Sequence, residues 1–159
     1  MKFIHLTQGQ VAQVDDSDVL TVSKHKWHAV CSNGRWEART KIRVLGVRKI
    51  LRMHNLVSGI PIGVDHVDGN PLNNQRANLR QANRYQNGQN RKVQKHSSRF
   101  KGVSFWKSVG KWVASINVNG KKRHLGYFKD ETDAAKRYDR AAELNFGVFA
   151  RTNKQMGLL

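Results

Sequence analysis

The stretch that most constrains this chain is Val64–Asn90, VDHVDGNPLNNQRANLRQANRYQNGQN. It holds an adjacent Asp-His pair, a loop rich in Gly, Pro and Asn, an Asn-Leu-Arg run and an amide-rich segment. Ile62–Val67 predicts a strand, on which neighbouring side chains point to opposite faces. Asp68-Gly69-Asn70-Pro71 is strong turn material. A strand distorted where it enters that turn can bring Asp65 and His66 toward one phosphate. Ala77–Arg80 predicts a second strand and Gln81–Asn90 a short helix. Asn83 and Asn87 stand four apart and Asn87 and Asn90 three apart, which lines one helical face with amides. One carboxylate and one amide oxygen make a weak, hard-oxygen site. Such a site suits Mg²⁺, which is commonly held by one or two protein ligands plus water and substrate phosphate.

This order of residues over Ile50–Arg91 resembles the HNH endonuclease family, in the variant whose last His is replaced by Asn. The resemblance implies a ββα-metal core at about residues 60–91. It implies that Asp65 and Asn87 are metal ligands, that His66 is the general base, and that Asn78 fixes the His66 ring. The metal would be Mg²⁺, with Mn²⁺ as an alternative. The implied chemistry is hydrolysis of a phosphodiester, with neutral His66 taking a proton from the attacking water and the metal offsetting charge at the leaving oxygen.

Charge points to the same partner. The chain has 29 Lys and Arg against 11 Asp and Glu, a net charge of +18. No acidic residue lies between Asp68 and Asp130, while 14 Lys and Arg do. Residues 1–96 carry a net +10 and residues 97–159 a net +8, so both halves suit a polyanion. No apolar run of ~20 residues offers a membrane span. A single cysteine, Cys31, rules out an internal disulfide or a cysteine-based zinc knuckle and fits a reducing compartment. The opening MKFIHLTQGQVAQVDD has no signal-peptide hydrophobic region, so an intracellular location in the host cytoplasm is expected.

Ahead of the Asp-His pair the chain reads as short strands and turns: Phe3–Leu6, Val11–Val14, a short helix capped by Asp15–Asp18, and a hairpin of Trp27–Ser32 with Arg35–Thr40 around Asn33-Gly34. Val44–Met53 reads as a strand broken at Gly46, and His54–Ser58 as a helical turn before Gly59. His54 reads as a packing or capping residue, with an approach to the site as the alternative. Lys24, His25, Lys26 and His28 read as solvated surface around a core Trp27. The basic, polar segment 93–99 reads as a linker.

Phe100–Asn153 predicts a second unit. Its strands are Phe100–Trp106, Lys111–Asn119 and Lys121–Phe128, the last two joined by Asn119-Gly120. Glu131–Phe146 predicts a helix with Asp130 near its N-cap and a stripe of small residues at Ala134, Ala135, Ala141 and Ala142. Three strands backed by one helix leave a sheet face narrow enough for a major groove. The unit resembles the plant ethylene-response-factor DNA-binding domain, the AP-two fold, through Phe100-Lys101-Gly102-Val103, Gly110-Lys111-Trp112-Val113-Ala114, Leu125-Gly126-Tyr127-Phe128, Tyr138-Asp139 and Phe146-Gly147. By that resemblance Lys101, Ser104, Trp106, Lys107, Lys111, Ser115, Asn117, Lys122 and His124 face DNA. Ser104, Asn117 and His124 depart from the Arg and Trp of plant members, which implies a different site.

The expectation is an α+β protein. A β-rich HNH domain at 1–92 precedes the linker, an AP-two-like domain at 100–153 follows, and 154–159 is a tail. Its function would be that of a phage-type HNH homing endonuclease acting on double-stranded DNA, probing with its sheet and cutting with its metal centre, as a monomer without a protein partner. The alternative is a non-catalytic DNA-binding transcription regulator.

Overall fold

Short apolar runs separated by turn dipeptides make short strands, and the computed structural model accordingly holds several small antiparallel sheets between short helices. It describes residues 1–90 and 97–159. The class is α+β. The chain groups into two units, Met1–Arg84 and Tyr85–Leu159. Of the linker expected at 93–99, residues 93–96 lie outside the described residues. Ser98 at its far end is buried, and its Oγ donates to Glu131 Oε1 at 2.7 Å.

In the first unit β1 (Lys2–His5) pairs with β2 (Val11–Val14). A short helix α1 (Val19–Val22) follows, then the meander β3 (His28–Ser32), β4 (Arg35–Val44) and β5 (Val47–Arg52). The break expected inside one strand at Gly46 is instead a hairpin turn at Leu45-Gly46, so Val44 closes β4 rather than opening β5. Helix α2 (Met53–Ser58) ends at Gly59, whose φ of 71° is the left-handed C-terminal conformation that glycine adopts without a Cβ clash. β6 (Val64–His66) then pairs with β7 (Leu79–Gln81), shorter than the strands expected, because Arg76–Asn78 forms a 3₁₀ turn first.

The core of this unit gathers Ala12, Val14, Val22, Trp27, Ala38, Met53 and Val57. Burying each of the large ones contributes about 1.5–3 kcal/mol. Trp27 remains polar-satisfied because its Nε1 donates to Val22 O at 2.8 Å. The core lies under the β6–β7 region, since Leu72 of the connecting loop and Leu79 of β7 pack against it.

Helix α3 (Arg84–Gln89) starts at the unit boundary. The second unit then has β8 (Val103–Trp106), β9 (Lys111–Val118) and β10 (Lys121–Phe128) in the order β10-β9-β8, and helix α4 (Glu131–Phe146). Asp130 caps α4 by accepting from the N–H groups of Thr132 and Asp133 at 2.7 and 3.2 Å. The alanine stripe brings α4 close to the sheet: Ala134 and Ala135 meet Phe100, Val103 and Ala114. Gly102, at φ 76°, leaves room for the Tyr138 ring, which an added Cβ would meet at 1.9 Å.

Residues 154–159, expected as a tail, are tied in. Buried Asp139 accepts from Asn153 N and Lys154 N at 2.8 and 2.9 Å, and Leu158 packs against the Phe100 cluster.

Candidate functional site

β6 and β7 place the first two site residues. Asp65 sits directly across from Arg80 in the ladder. Its Oδ2 accepts from Arg80 Nε at 2.9 Å and Nη2 at 2.7 Å, and the carboxylate is 4% exposed. A buried carboxylate needs such a partner. Nothing in the local sequence marks Arg80 as its partner. Only the pairing register, which puts a cation opposite an anion, reveals it.

His66 follows on the buried end of β6. Its ring meets His54 of α2 edge to face, with centroids 5.1 Å apart. His54 therefore does approach the site, as a buttress of His66. Burial pushes His54 down to about 4, helped by the nearby His66, Arg52 and Arg39, so it is neutral at pH 7. His66 is also pushed below its ordinary value by burial, against the opposing pull of Asn74, Asp68 and Asp65.

The family resemblance implies Asn78 as the partner of the His66 ring. The structure puts Asn74 there, with Oδ1 3.4 Å from His66 Nε2. An amide oxygen only accepts, so the Nε2–H tautomer of His66 is the one that satisfies this contact. Asn74 is fully buried, and its own N–H donates to Gln13 O at 2.8 Å, so β2 fixes its position.

Asn78 does something else. Its Oδ1 accepts from Asp68 N at 2.9 Å, and its Nδ2 donates to Asp68 Oδ1 at 3.0 Å and to Asn73 O at 2.8 Å. It clamps the loop rather than the imidazole. Burial would raise the Asp68 carboxyl, but hydrogen bonds from Asn70, Asn73 and Asn78 outweigh it and hold the group below its ordinary range. The outer side of the loop is tied to the start of the chain. Asp15 accepts from Arg76 N and Gln75 Nε2, and buried Asp18 takes a two-point contact from Arg76 at 2.9 and 2.7 Å. The Asp15–Asp18 segment, expected only as a helix cap, thus holds the site loop as well.

Asn87 lies on α3, past the boundary between the units, and its pairing with Asp65 rests on the family resemblance alone. The buried Asp65 carboxylate is the donor chemistry that a Mg²⁺-type ion takes, since that ion keeps much of its water. Among the described residues no cluster of three or more His, Cys, Asp or Glu exists, which is the pattern a structural zinc would need.

In the second unit the open sheet face carries most of the expected residues. Ser104 and Trp106 on β8 stand across from Val113 and Lys111 on β9, and Ser115 and Asn117 across from His124 and Lys122 on β10. Ser104, Trp106, Ser115, Lys122 and His124 line a shallow depression of about 480 Å³. Lys107 is exposed in the turn after β8.

Lys101 is a correction. Its Nζ donates to Gln89 O at 2.6 Å and Arg151 O at 3.3 Å. Burial pulls its pKa down to about 8, with Arg151 adding to the effect. An ammonium engaged by two backbone carbonyls in this way is not presented on the open face.

Tyr127 is an addition. A β-bulge between His124 and Gly126 shifts the register so that Tyr127 falls opposite Val113, on the open face. There its ring lies 5.5 Å from Trp106 and 4.5 Å from His124.

A family model described as HNH endonuclease matches residues 49–89. The chain is 34% identical over 135 residues to an uncharacterized HNH endonuclease of Acanthamoeba polyphaga mimivirus, an alignment covering 84% of this chain and 69% of that protein. It is 40% identical over 69 residues to Protein 3.8 of Escherichia phage T7, covering 42% of this chain and 57% of the phage protein. Over 61 residues it is 39% identical to the AP2-like ethylene-responsive transcription factor TOE2 of Arabidopsis thaliana, which covers 38% of this chain and 13% of the plant protein. Among the described residues no helix is long and apolar enough to cross a membrane.

Proposed function

The chain belongs to the HNH endonuclease family and is a nuclease, and from that membership we propose that it is a metal-dependent endonuclease of double-stranded DNA with His66 as its general base. The observation that carries this reading is the environment of His66: a buried, neutral imidazole next to Asp65, buttressed by His54 and held at Nε2 by Asn74. In this reading the neutral His66 imidazole takes a proton from the attacking water. Asp65 and Asn87 would hold a divalent cation, Mg²⁺ in this reading, whose charge offsets that developing on the phosphate and the leaving oxygen. Arg80 orients the Asp65 carboxylate, and Asn78 keeps the loop closed around the site.

The likeness of the second unit to an AP2-like factor, together with its basic open face, supports a targeting role for that sheet. Ser104, Trp106, Lys107, Lys111, Ser115, Asn117, Lys122, His124 and Tyr127 would meet the DNA. A nuclease centre joined to a separate sequence-reading sheet fits a homing endonuclease of a phage or mobile element.

The test is cleavage of supercoiled plasmid with Mg²⁺, with EDTA, and with His66→Ala. Metal-dependent nicking or linearisation that falls about 10²–10⁴-fold in the variant, with binding retained, is expected. Undiminished cleavage by His66→Ala would remove His66 from the mechanism. Salt-sensitive binding by a wild-type protein that never cuts would favour a DNA-binding regulator.

A further inference from the structure

The outer part of the β4–β5 hairpin has no part in the reading above. β3 pairs with β4 only between His28–Arg39 and Ser32–Arg35. Beyond that ladder Thr40–Val44 and Val47–Leu51 run on as a two-stranded ribbon. The ribbon has no acidic residue, and Lys41, Arg43, Arg48 and Lys49 are exposed. Arg43 lies directly opposite Arg48. Like charges so placed destabilise a sheet.

Two same-face pairs further in, past Lys41 and Ile50, the fold settles the same clash internally. Arg39 stands opposite Arg52, and Glu37, on the same face, forms ion pairs with both. Among the described residues no carboxylate does this for Arg43 and Arg48.

The tip adds a second signal. Val44, Leu45 and Val47 are 38, 99 and 59% exposed. Leu45 holds a φ of 50°. At the preceding hairpin the matching turn position is Asn33, at φ 51°, a residue suited to the left-handed region; leucine is not. The tip therefore carries a strained and solvent-exposed apolar side chain where an asparagine would fit better. At its root the charged face of the ribbon runs into a cleft of about 700 Å³ lined by Lys24, Lys26, His28, Arg39, Lys41 and Ile50.

We propose that this ribbon and the cleft at its root form a DNA-binding arm of the first unit. Backbone phosphates supply the counter-charge that Arg43 and Arg48 lack, and continue past Lys41 into the cleft. The Val44-Leu45-Val47 tip seats against bases in a groove, as apolar wedges of other DNA-binding proteins do. The residues Lys24, Lys26 and His28, read from sequence as solvated surface, then become phosphate contacts. The inference rests on the reading of the chain as a DNA nuclease.

The experiment is a salt series of binding to a mixed-sequence DNA duplex by the full chain in EDTA, comparing wild type, Arg43→Gln with Arg48→Gln, and Leu45→Asn. Removing both arginines should lower the slope of log affinity against log salt by about 1.8, at about 0.9 per phosphate contact. The same variant should melt no lower than wild type, because a repulsion is gone. Leu45→Asn should keep the slope and weaken binding roughly tenfold, the scale of one leucine-sized apolar contact.

An unchanged slope in the double variant would overturn the arm, and unchanged affinity in Leu45→Asn would overturn the seated tip. Either result, with wild-type binding intact, leaves the nuclease reading standing. A wild-type chain with no salt-dependent affinity for the duplex would overturn both. Leu45-dependent capture on phosphatidylserine vesicles in place of DNA would reassign the ribbon to a membrane surface.

Discussion

Replacing Asn78 with Ala separates two accounts of the site. If Asn78 orients the imidazole, Asn78→Ala should slow cleavage and leave stability nearly intact. The structure argues the reverse. The side chain is 9% exposed and makes three hydrogen bonds, one accepted from Asp68 N and two donated to Asp68 Oδ1 and Asn73 O. At about 1 kcal/mol net for each, its removal costs about 3 kcal/mol. For a unit of this size each kcal/mol moves the melting temperature by about 4–8 °C, so a fall of about 10 °C or more is expected. Asn74→Ala serves as the comparison. It loses the long contact to His66 and one to Leu72 O, and should cost about 1–2 kcal/mol. The Asn74 contact raises the His66 pKa, so its loss should shift the acid limb of the cleavage profile to lower pH. The assays are thermal or urea unfolding and single-turnover plasmid cleavage across pH. An Asn78→Ala protein as stable as wild type, but slow and with a shifted pH profile, would refute the clamp assignment.

Three further outcomes are expected. Gly102→Ala should destabilise the second unit by about 2–5 kcal/mol, because it adds a positive-φ cost to a Cβ driven into Tyr138, and calorimetry with an unchanged second transition would contradict this. Lys101 has a folded pKa of about 8, below its ordinary 10.5, so between those values the unfolded chain binds more protons and stability rises with pH. Unfolding at stepped pH should show that rise in wild type and lose it in Lys101→Met; a rise retained in the variant would point to another group. Lys122→Ala should reduce the salt slope of DNA binding by about 0.9, whereas Lys101→Met should leave it unchanged, and equal slopes for Lys122→Ala and wild type would remove Lys122 from the interface.

Local chemistry was legible in the chain by itself. Asn33-Gly34 and Asn119-Gly120 set two hairpins, Gly59 ends α2, and Asp130 caps α4, each because a turn or cap is decided by a few neighbouring residues. The Asp65-His66 pair and its amide-rich surroundings pointed to the family, as did the charge of +18 to a polyanion. Contacts between distant segments were decided only by the tertiary structure. Arg80 meets Asp65 because of strand register, and Asn74 reaches His66 because Gln13 pins it from β2. The bulge after His124 turns Tyr127 outward, against the simple alternation of the strand. Lys101 is drawn inward by two carbonyls that its own sequence neighbourhood does not contain. The physical reason is common to all four: periodicity assigns a residue to a face, but which group it meets there depends on register and packing, and these are set by segments far along the chain.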